Sequence, residues 1–280
     1  MSETSFWPPK LFWVRFTHPD RSKDMNTQRT IIIGDVHGMA IELDALLAKL
    51  DVTAQDEIVF VGDLVDKGED SPAVVRRVRE LAETHNVVVV EGNHEDKHRR
   101  FRRNAEQRPE VAAGMVERTP ELQTITEGMS DEDIAFLNAA VPFHRVPAHD
   151  LLVVHAGIPG DMTEFPESLE AAQALGGKAK KKFQLVMRTR FVDAETGKFL
   201  QLGKETEADP FWADVFDGRF GHVVFGHQPF MDGPGQFPHA TGVDTGAVFG
   251  GELTALVVDA SGDRSFVSVA SRKFAEAGIH

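Results

Sequence analysis
The chain has 280 residues, of which 41% are hydrophobic and 26% charged, with a formal net charge of −14. This is the composition of a soluble globular protein, and its acidity argues against a general nucleic-acid binder, so no stable nucleic-acid partner is expected. Cysteine is absent, which removes disulfide frameworks, thiolate metal sites and thiol catalysis and fits a cytoplasmic protein, and no apolar run reaches the roughly 18 residues of a membrane span.

Residues 1–25 mix Phe6, Trp7, Phe12, Trp13 and Phe16 with Pro8, Pro9 and Pro19 and read as an irregular tail. They lack a basic segment followed by an apolar stretch and a small-residue cleavage site, so no secretory signal is expected. One domain over residues 26–280 then begins with the apolar run Thr30-Ile31-Ile32-Ile33, which stops at Gly34-Asp35-Val36-His37-Gly38. Ile41, Leu43, Leu46, Leu47 and Leu50 follow at helical spacing. Glu57–Val61 reads as a second buried strand ending in Gly62-Asp63, with Asp66 and Gly68 just beyond. A helix starts near Ser71-Pro72 and buries Val74, Val75, Val78 and Leu81. Val87–Val90 is a third strand and ends in Glu91-Gly92-Asn93-His94-Glu95.

Strand, polar loop and helix thus recur three times, which predicts a largely parallel sheet with helices on its faces. Ligands of such sheets gather beyond the carboxyl ends of the strands. Residues 95–140 read as mostly helical and open on the basic run 97–103, either a solvated helix face or a face that meets a polyphosphate or polynucleotide. A fourth strand, Leu151–Val154, ends in His155-Ala156-Gly157. Residues 160–220 read as an irregular insertion or cap, with lysines at 178–182 and the segment Met187-Arg188-Thr189-Arg190-Phe191. Val223-Val224-Phe225 ends in Gly226-His227, and two late strands lie near Leu253–Val258 and Ser265–Val269, after the turn Asp244-Thr245-Gly246.

Five strand ends therefore carry residues able to bind a metal: Asp35 with His37, Asp63, Asn93 with His94, His155, and His227. A single histidine after a strand is usually structural; five such coincidences imply one shared site. Oxygen and imidazole donors without sulfur suit manganese, iron, zinc, nickel or cobalt. Seven donors exceed what one catalytic metal with an open position takes, and suit two divalent ions sharing a carboxylate, about 3.5–4 Å apart.

The five motifs, in this order and spacing, resemble the signature of the phosphoprotein-phosphatase branch of calcineurin-like metallophosphoesterases over residues 29–260. Within that branch the chain looks like bacterial symmetrical diadenosine tetraphosphate hydrolases and the phosphatase modules of RNA-repair enzymes. Arg188-Thr189-Arg190-Phe191, Asp244-Thr245-Gly246 and Gly250–Leu256 are similar to segments of those groups. The resemblance implies an α/β (α+β) fold in which a two-sheet β-sandwich carries flanking helices and a helical insertion. It implies that Asp35, His37 and Asp63 hold one metal, manganese being the first choice, and that Asp63, Asn93, His155 and His227 hold the second. His94 would donate a proton to the leaving oxygen with Asp66 orienting it, and Lys67, Arg188 and Arg190 would face the phosphate. The family usually has arginine where Lys67 stands; lysine keeps the charge but loses the bidentate fork. The implied reaction is hydrolysis of a phosphoester or phosphoanhydride, on small or nucleotide phosphates such as dinucleoside polyphosphates. A serine/threonine or tyrosine protein phosphatase is the alternative, and a non-catalytic binding module a third reading. Oligomeric state is left open.

Overall fold
The computed structural model describes residues 29–276; the expected tail over 1–25 lies outside the described residues. Two β-sheets pack face to face. The first contains β1 (Thr30–Ile33), β2 (Glu57–Phe60) and β3 (Asn86–Val89), and the second is opened by β4 (His144–Val146), β5 (Leu151–Val153), β6 (His222–Phe225), β7 (Gly235–Phe237) and β8 (Ala240–Gly242). The chain then returns to the first sheet as β9 (Asp244–Thr245), β10 (Glu252–Val258) and β11 (Arg264–Ala270). The order is β11-β10-β1-β2-β3 in the first sheet, with β9 also on β10, and β4-β5-β6-β8-β7 in the second.

The plain parallel-sheet expectation is corrected here, whereas the two-sheet sandwich implied by the family resemblance is what the chain forms. β1, β2 and β3 are parallel, but β10 enters antiparallel beside β1 and β11 pairs with it as a hairpin. In the second sheet β5, β6 and β8 are parallel, with antiparallel β4 and β7 at the edges. The strand–helix alternation of the first hundred residues is local, and it holds no record of a hairpin that inserts more than two hundred residues later. The short strands β4, β7, β8 and β9, of two or three residues each, carry too few side chains to show a period.

Alternation across each strand explains why these runs are apolar throughout. Ile32, Val59, Leu256 and Val258 face Leu151, Val153 and Val224 in the space between the sheets. Ile31, Ile33, Ile58 and Phe60 point the other way, onto the apolar faces of α1 (Ala40–Leu50), α2 (Ser71–Ala82) and the segment around α6 (Asp131–Asn138). With both faces covered, successive isoleucines are all buried. Asp70 caps α2 by accepting from the Ala73 N–H at 2.9 Å, with Pro72 in the first turn. Ser130 and Asp133 cap α6 reciprocally. Between them lie α3 (Asn93–Gln107), α4 (Pro109–Arg118) and α5 (Glu121–Glu127), the helical stretch expected over 95–140.

Residues 160–220 form α7 (Leu169–Ala174), α8 (Gly177–Phe183), the 3-10 turn Gln184–Met187 and α9 (Trp212–Val215). Their apolar residues cover the outer face of the second sheet: Phe165, Phe183, Trp212 and Phe216 pack with Leu152, Val223 and Phe225. Trp212 and Phe225 meet edge to face with centroids 4.9 Å apart. This aromatic layer is the fourth layer of the molecule. Trp212, 1% exposed, is its centre. Trp212→Ala is expected to destabilise the fold by about 3–5 kcal/mol, the range for removing a buried large aromatic, as read by chemical denaturation; a loss below about 1 kcal/mol would show that this layer does not support the sheet.

Candidate metal centre
Register delivers the donors to one edge. Ile33, Phe60 and Val89 stand level across the first sheet, and Asp35, Asp63 and Asn93 follow within a few residues of each. Val153 and Val224 are level in the second sheet, ahead of His155 and His227. Two contacts tie the edges together. His155 Nδ1 lies 2.9 Å from the Val61 carbonyl of the first sheet, and the His227 N–H donates to Asp35 Oδ2 at 3.0 Å.

The loops that carry these groups are bent unusually hard. Seven described non-glycine residues have positive φ, and five of them are here: His37, Asp63, Asp66, Lys67 and His227. Each such residue costs on the order of 1–3 kcal/mol, which persists only where the surroundings enforce it. Glycines make the close approaches possible: a Cβ on Gly92 would collide with the Asp63 carboxylate, and one on Gly226 with that of Asp35.

Asp63 is the meeting point. Its Oδ2 lies 3.5 Å from His37 Nε2 and its Oδ1 3.4 Å from His155 Nε2. Two groups of converging donor atoms share it, His37–Asp63–His94 and Asp63–His155–His227, each with its atoms within 4.8 Å of one another. Asp35 Oδ2 joins the first group at 4.0 Å from His37 Nε2, and Asn93 Oδ1 joins the second at 3.0 Å from His155 Nε2. Backbone carbonyls set the tautomers: Nδ1 of His37 donates to Val65 O at 2.9 Å and Nδ1 of His155 to Val61 O, which leaves both Nε2 atoms turned inward.

The electrostatics ask for a cation. Burial pushes the Asp35 carboxyl well above the usual range, and the neighbouring carboxylate of Asp244 adds to it; burial likewise raises Asp244. Burial together with the Lys67 ammonium holds His37 neutral, and burial with the Arg190 guanidinium does the same for His227. Burial works against a proton on His155, but the Asp63 carboxylate outweighs it and lifts the imidazole to about 9. Buried carboxylates beside the neutral imidazoles of His37 and His227 form a donor set that fits divalent ions, which would also displace the proton that Asp63 holds on His155. Lys67 Nζ stands 3.0 Å from His37 Nε2.

His94 begins α3, and its backbone N–H donates to Asp63 Oδ1 at 3.0 Å. Its Nδ1 is 2.5 Å from Asp66 Oδ2, so Nε2 is turned to the cleft. Burial opposes ionisation of Asp66, yet hydrogen bonds from His94 and His98 keep its carboxylate far below the ordinary range. The cleft has a volume of about 250 Å³ and is lined by Asp63, Lys67, Asn93, His94, Arg190 and His227, with Lys97, Pro229, Asp244 and Phe249 beside them. Arg190 also donates to the His227 carbonyl at 2.8 Å. Arg188 is not among the lining residues; 42% exposed, it pairs with Asp96 at 2.8 Å.

Several contributors carried no role in the sequence reading. Glu95 is fully buried and accepts three backbone N–H groups, from Asp63, Leu64 and Gly92, at 2.8, 2.8 and 2.9 Å. Its place three residues after the glycine that starts α3 is a capping signal. His98 and Lys97 reach Asp66 from the next turn of the same helix at 2.7 and 2.5 Å, inside the basic run that reads either as a solvated face or as a face meeting a polyphosphate or polynucleotide. Asp244 belongs to a turn segment that shares in the family resemblance but carried no role of its own, and Phe249 and Pro229 give no sign.

Together the sandwich, the strand-end donors and the shared carboxylate define a metal-dependent phosphoesterase. The family model of the calcineurin-like phosphoesterases matches residues 28–237, and the chain belongs to that family, whose members use divalent metals. It is therefore a hydrolase of phosphoester or phosphoanhydride bonds. Among curated proteins it is 30% identical to bis(5′-nucleosyl)-tetraphosphatase PrpE [asymmetrical] of Oceanobacillus iheyensis, over 86% of this chain and 92% of that protein. It is 31% identical to the protein of the same name from Halalkalibacterium halodurans, over 86% and 94%. The motif resemblance pointed to symmetrical hydrolases, whereas these relatives are named asymmetrical. Among solved structures, a candidate diadenosine tetraphosphatase superposes with a TM-score of 0.63 at 26% identity, covering 87% of this chain and 94% of that one. A cold-active protein-tyrosine phosphatase of a Shewanella species shares the fold, with a TM-score of 0.53 at 18% identity, covering 85% and 80%.

The Glu95 clamp makes a test. In Glu95→Gln one N–H acceptor becomes a donor facing a donor. The expected outcome is a stability loss of about 1–3 kcal/mol with metal affinity weakened roughly 10–100-fold, measured by denaturation and by metal titration. Unchanged metal affinity would show that Glu95 does not hold Asp63 in place.

Proposed function
We propose that the chain hydrolyses dinucleoside tetraphosphates asymmetrically, releasing a nucleoside triphosphate and a nucleoside monophosphate, with two divalent ions, manganese first among them. The observation that carries the reading is the sharing of one buried carboxylate, Asp63, between two groups of converging donors. The names of the curated relatives support the substrate and the mode of cleavage. Asp35, His37 and Asp63 would hold one ion, and Asp63, Asn93, His155 and His227 the other. Bound ions of this kind acidify a water and neutralise charge on phosphoryl oxygens.

The remaining work falls to the side chains. Lys67 and Arg190 face the cleft and neutralise charge that grows on the non-bridging oxygens. Arg190 rather than Arg188 takes this part, because Arg188 is engaged by Asp96. The water oxygen bonds to the phosphorus at one end of the chain of phosphates, and the bond from that phosphorus to the bridging oxygen breaks. His94 Nε2 gives its proton to the departing oxygen. Asp66 fixes the ring through Nδ1 and so keeps Nε2 aimed at that oxygen. Pro229 and Phe249 give the cleft mouth an apolar rim.

Two experiments test this. Asp63→Asn is expected to lose both bound metal, by elemental analysis, and turnover. His94→Asn should keep its metal while kcat falls about 10²–10⁴-fold, more on an alkyl phosphate than on an aryl phosphate. Metal-replete Asp63→Asn with normal turnover would remove the shared carboxylate from the mechanism. With diadenosine tetraphosphate, chromatography should show ATP and AMP in equal amounts; two ADP would overturn the asymmetric assignment, and no turnover would overturn the substrate.

A further inference from the structure
A second concavity lies beside the cleft. α3, α4 and α5 border a groove of about 430 Å³. Lys97, Arg100, Arg103, Arg108 and Arg118 line it, and its lining includes no carboxylate. In a chain of net charge −14 this concentrates positive charge where the rest of the surface opposes it, and a concave wall focuses that field. Glu110, Glu117 and Glu121 lie on α4 and α5 but outside the lining.

The cations nearest the metal centre are engaged, Lys97 by Asp66 and Arg100 by Asp96. The far pair is not: Arg108 donates to the neutral Asn104 Oδ1 at 2.8 Å, and among the described residues neither Arg108 nor Arg118 forms an ion pair. Both are exposed and line the same groove, with no carboxylate in its lining to neutralise either. Val111, Met115 and Leu122 supply an apolar wall between the cations. Guanidinium groups match phosphate oxygens in fork geometry, and the accessible Val111 and Met115, backed by buried Leu122, suit the face of a base. Lys97 lines both the groove and the cleft, so the two are contiguous.

We infer that this groove binds the second nucleoside-phosphate arm of the substrate while the scissile phosphate lies in the cleft. The inference rests on the proposed action on dinucleoside polyphosphates and adds the place where the far nucleotide is held. Arg108 and Arg118 grip its phosphates, and the wall at Val111 and Met115 receives its base. Specificity for a two-armed substrate thus comes from α4 and α5 and the outer turns of α3, beyond the turn that carries Asn93 and His94.

The test is the double variant Arg108→Ala/Arg118→Ala in the metal-loaded full chain. For diadenosine tetraphosphate the KM should rise about tenfold for each arginine lost with kcat kept, while p-nitrophenyl phosphate, which occupies the cleft alone, should be hydrolysed as before. An unchanged KM, or an equal loss on both substrates, would overturn the inference. A second arm needs no turnover: methylene-bridged ADP and methylene diphosphonate are titrated calorimetrically into both proteins. The nucleotide should bind the variant at least about tenfold more weakly, and the diphosphonate, too short to span from the metal-loaded cleft into the groove, equally well. Equal weakening of both would mean simple anion attraction and would overturn the nucleotide assignment. If diadenosine tetraphosphate is not hydrolysed at all but the nucleotide still depends on the two arginines, the proposed substrate fails and the nucleotide groove stands.

Discussion
Asp63 stands where two sheets end, and its carboxylate must be kept negative, buried and shared. A carboxylate removed from water loses several kcal/mol of solvation unless cations or donors replace it. Here the replacement is partly built in: imidazoles approach from both sheets, and the His94 N–H bonds one oxygen. The rest of the local structure follows from holding that group in place. Glu95 pins the Asp63 loop by three backbone hydrogen bonds, and Gly92 leaves room for the carboxylate that a Cβ would exclude. The left-handed backbone of His37, Asp63 and His227 turns the chain sharply enough to bring the donors onto a single point.

Rigid elements on both sides make such strain tolerable. β1 is buried on both faces, and the aromatic layer centred on Trp212 covers the second sheet as the helices cover the first. The donors therefore sit on strand ends that cannot shift without opening a core. The basic residues that line the cleft are placed in two ways. Lys67 and Lys97 reach the cleft from the same loop and helix that carry Asp63 and Asn93, whereas Arg190 comes from the 160–220 segment.

Charge is arranged in two zones. Acids concentrate at the donor cluster, where burial raises Asp35 and Asp244 and the neighbouring Asp244 adds to the rise of Asp35. Cations line the cleft and continue along α3 and α4. A strongly acidic protein can thus attract a polyanion to one face, since the field that counts is the local one.

The motifs made the donors legible from the residues alone. Asp35, His37, Asp63, Asn93, His155 and His227 each follow an apolar run, and the turn residues beside them mark where strands end. Helices α1 and α2 were equally legible, because Leu43, Leu46 and Leu47, or Val74, Val75 and Val78, repeat at the helical period that burial on one face requires. Three things were decided only in three dimensions. β10 and β11 join β1 across the length of the chain, a pairing that local pattern cannot encode. Arg188 and Arg190 look equivalent in sequence, yet an acid on α3 takes one and the cleft takes the other. Glu95, His98 and Asp244 acquire their parts from what folds against them. Periodicity and strand ends report a residue's own backbone and its nearest neighbours; partners brought together from distant segments exist only once the two sheets have closed on each other.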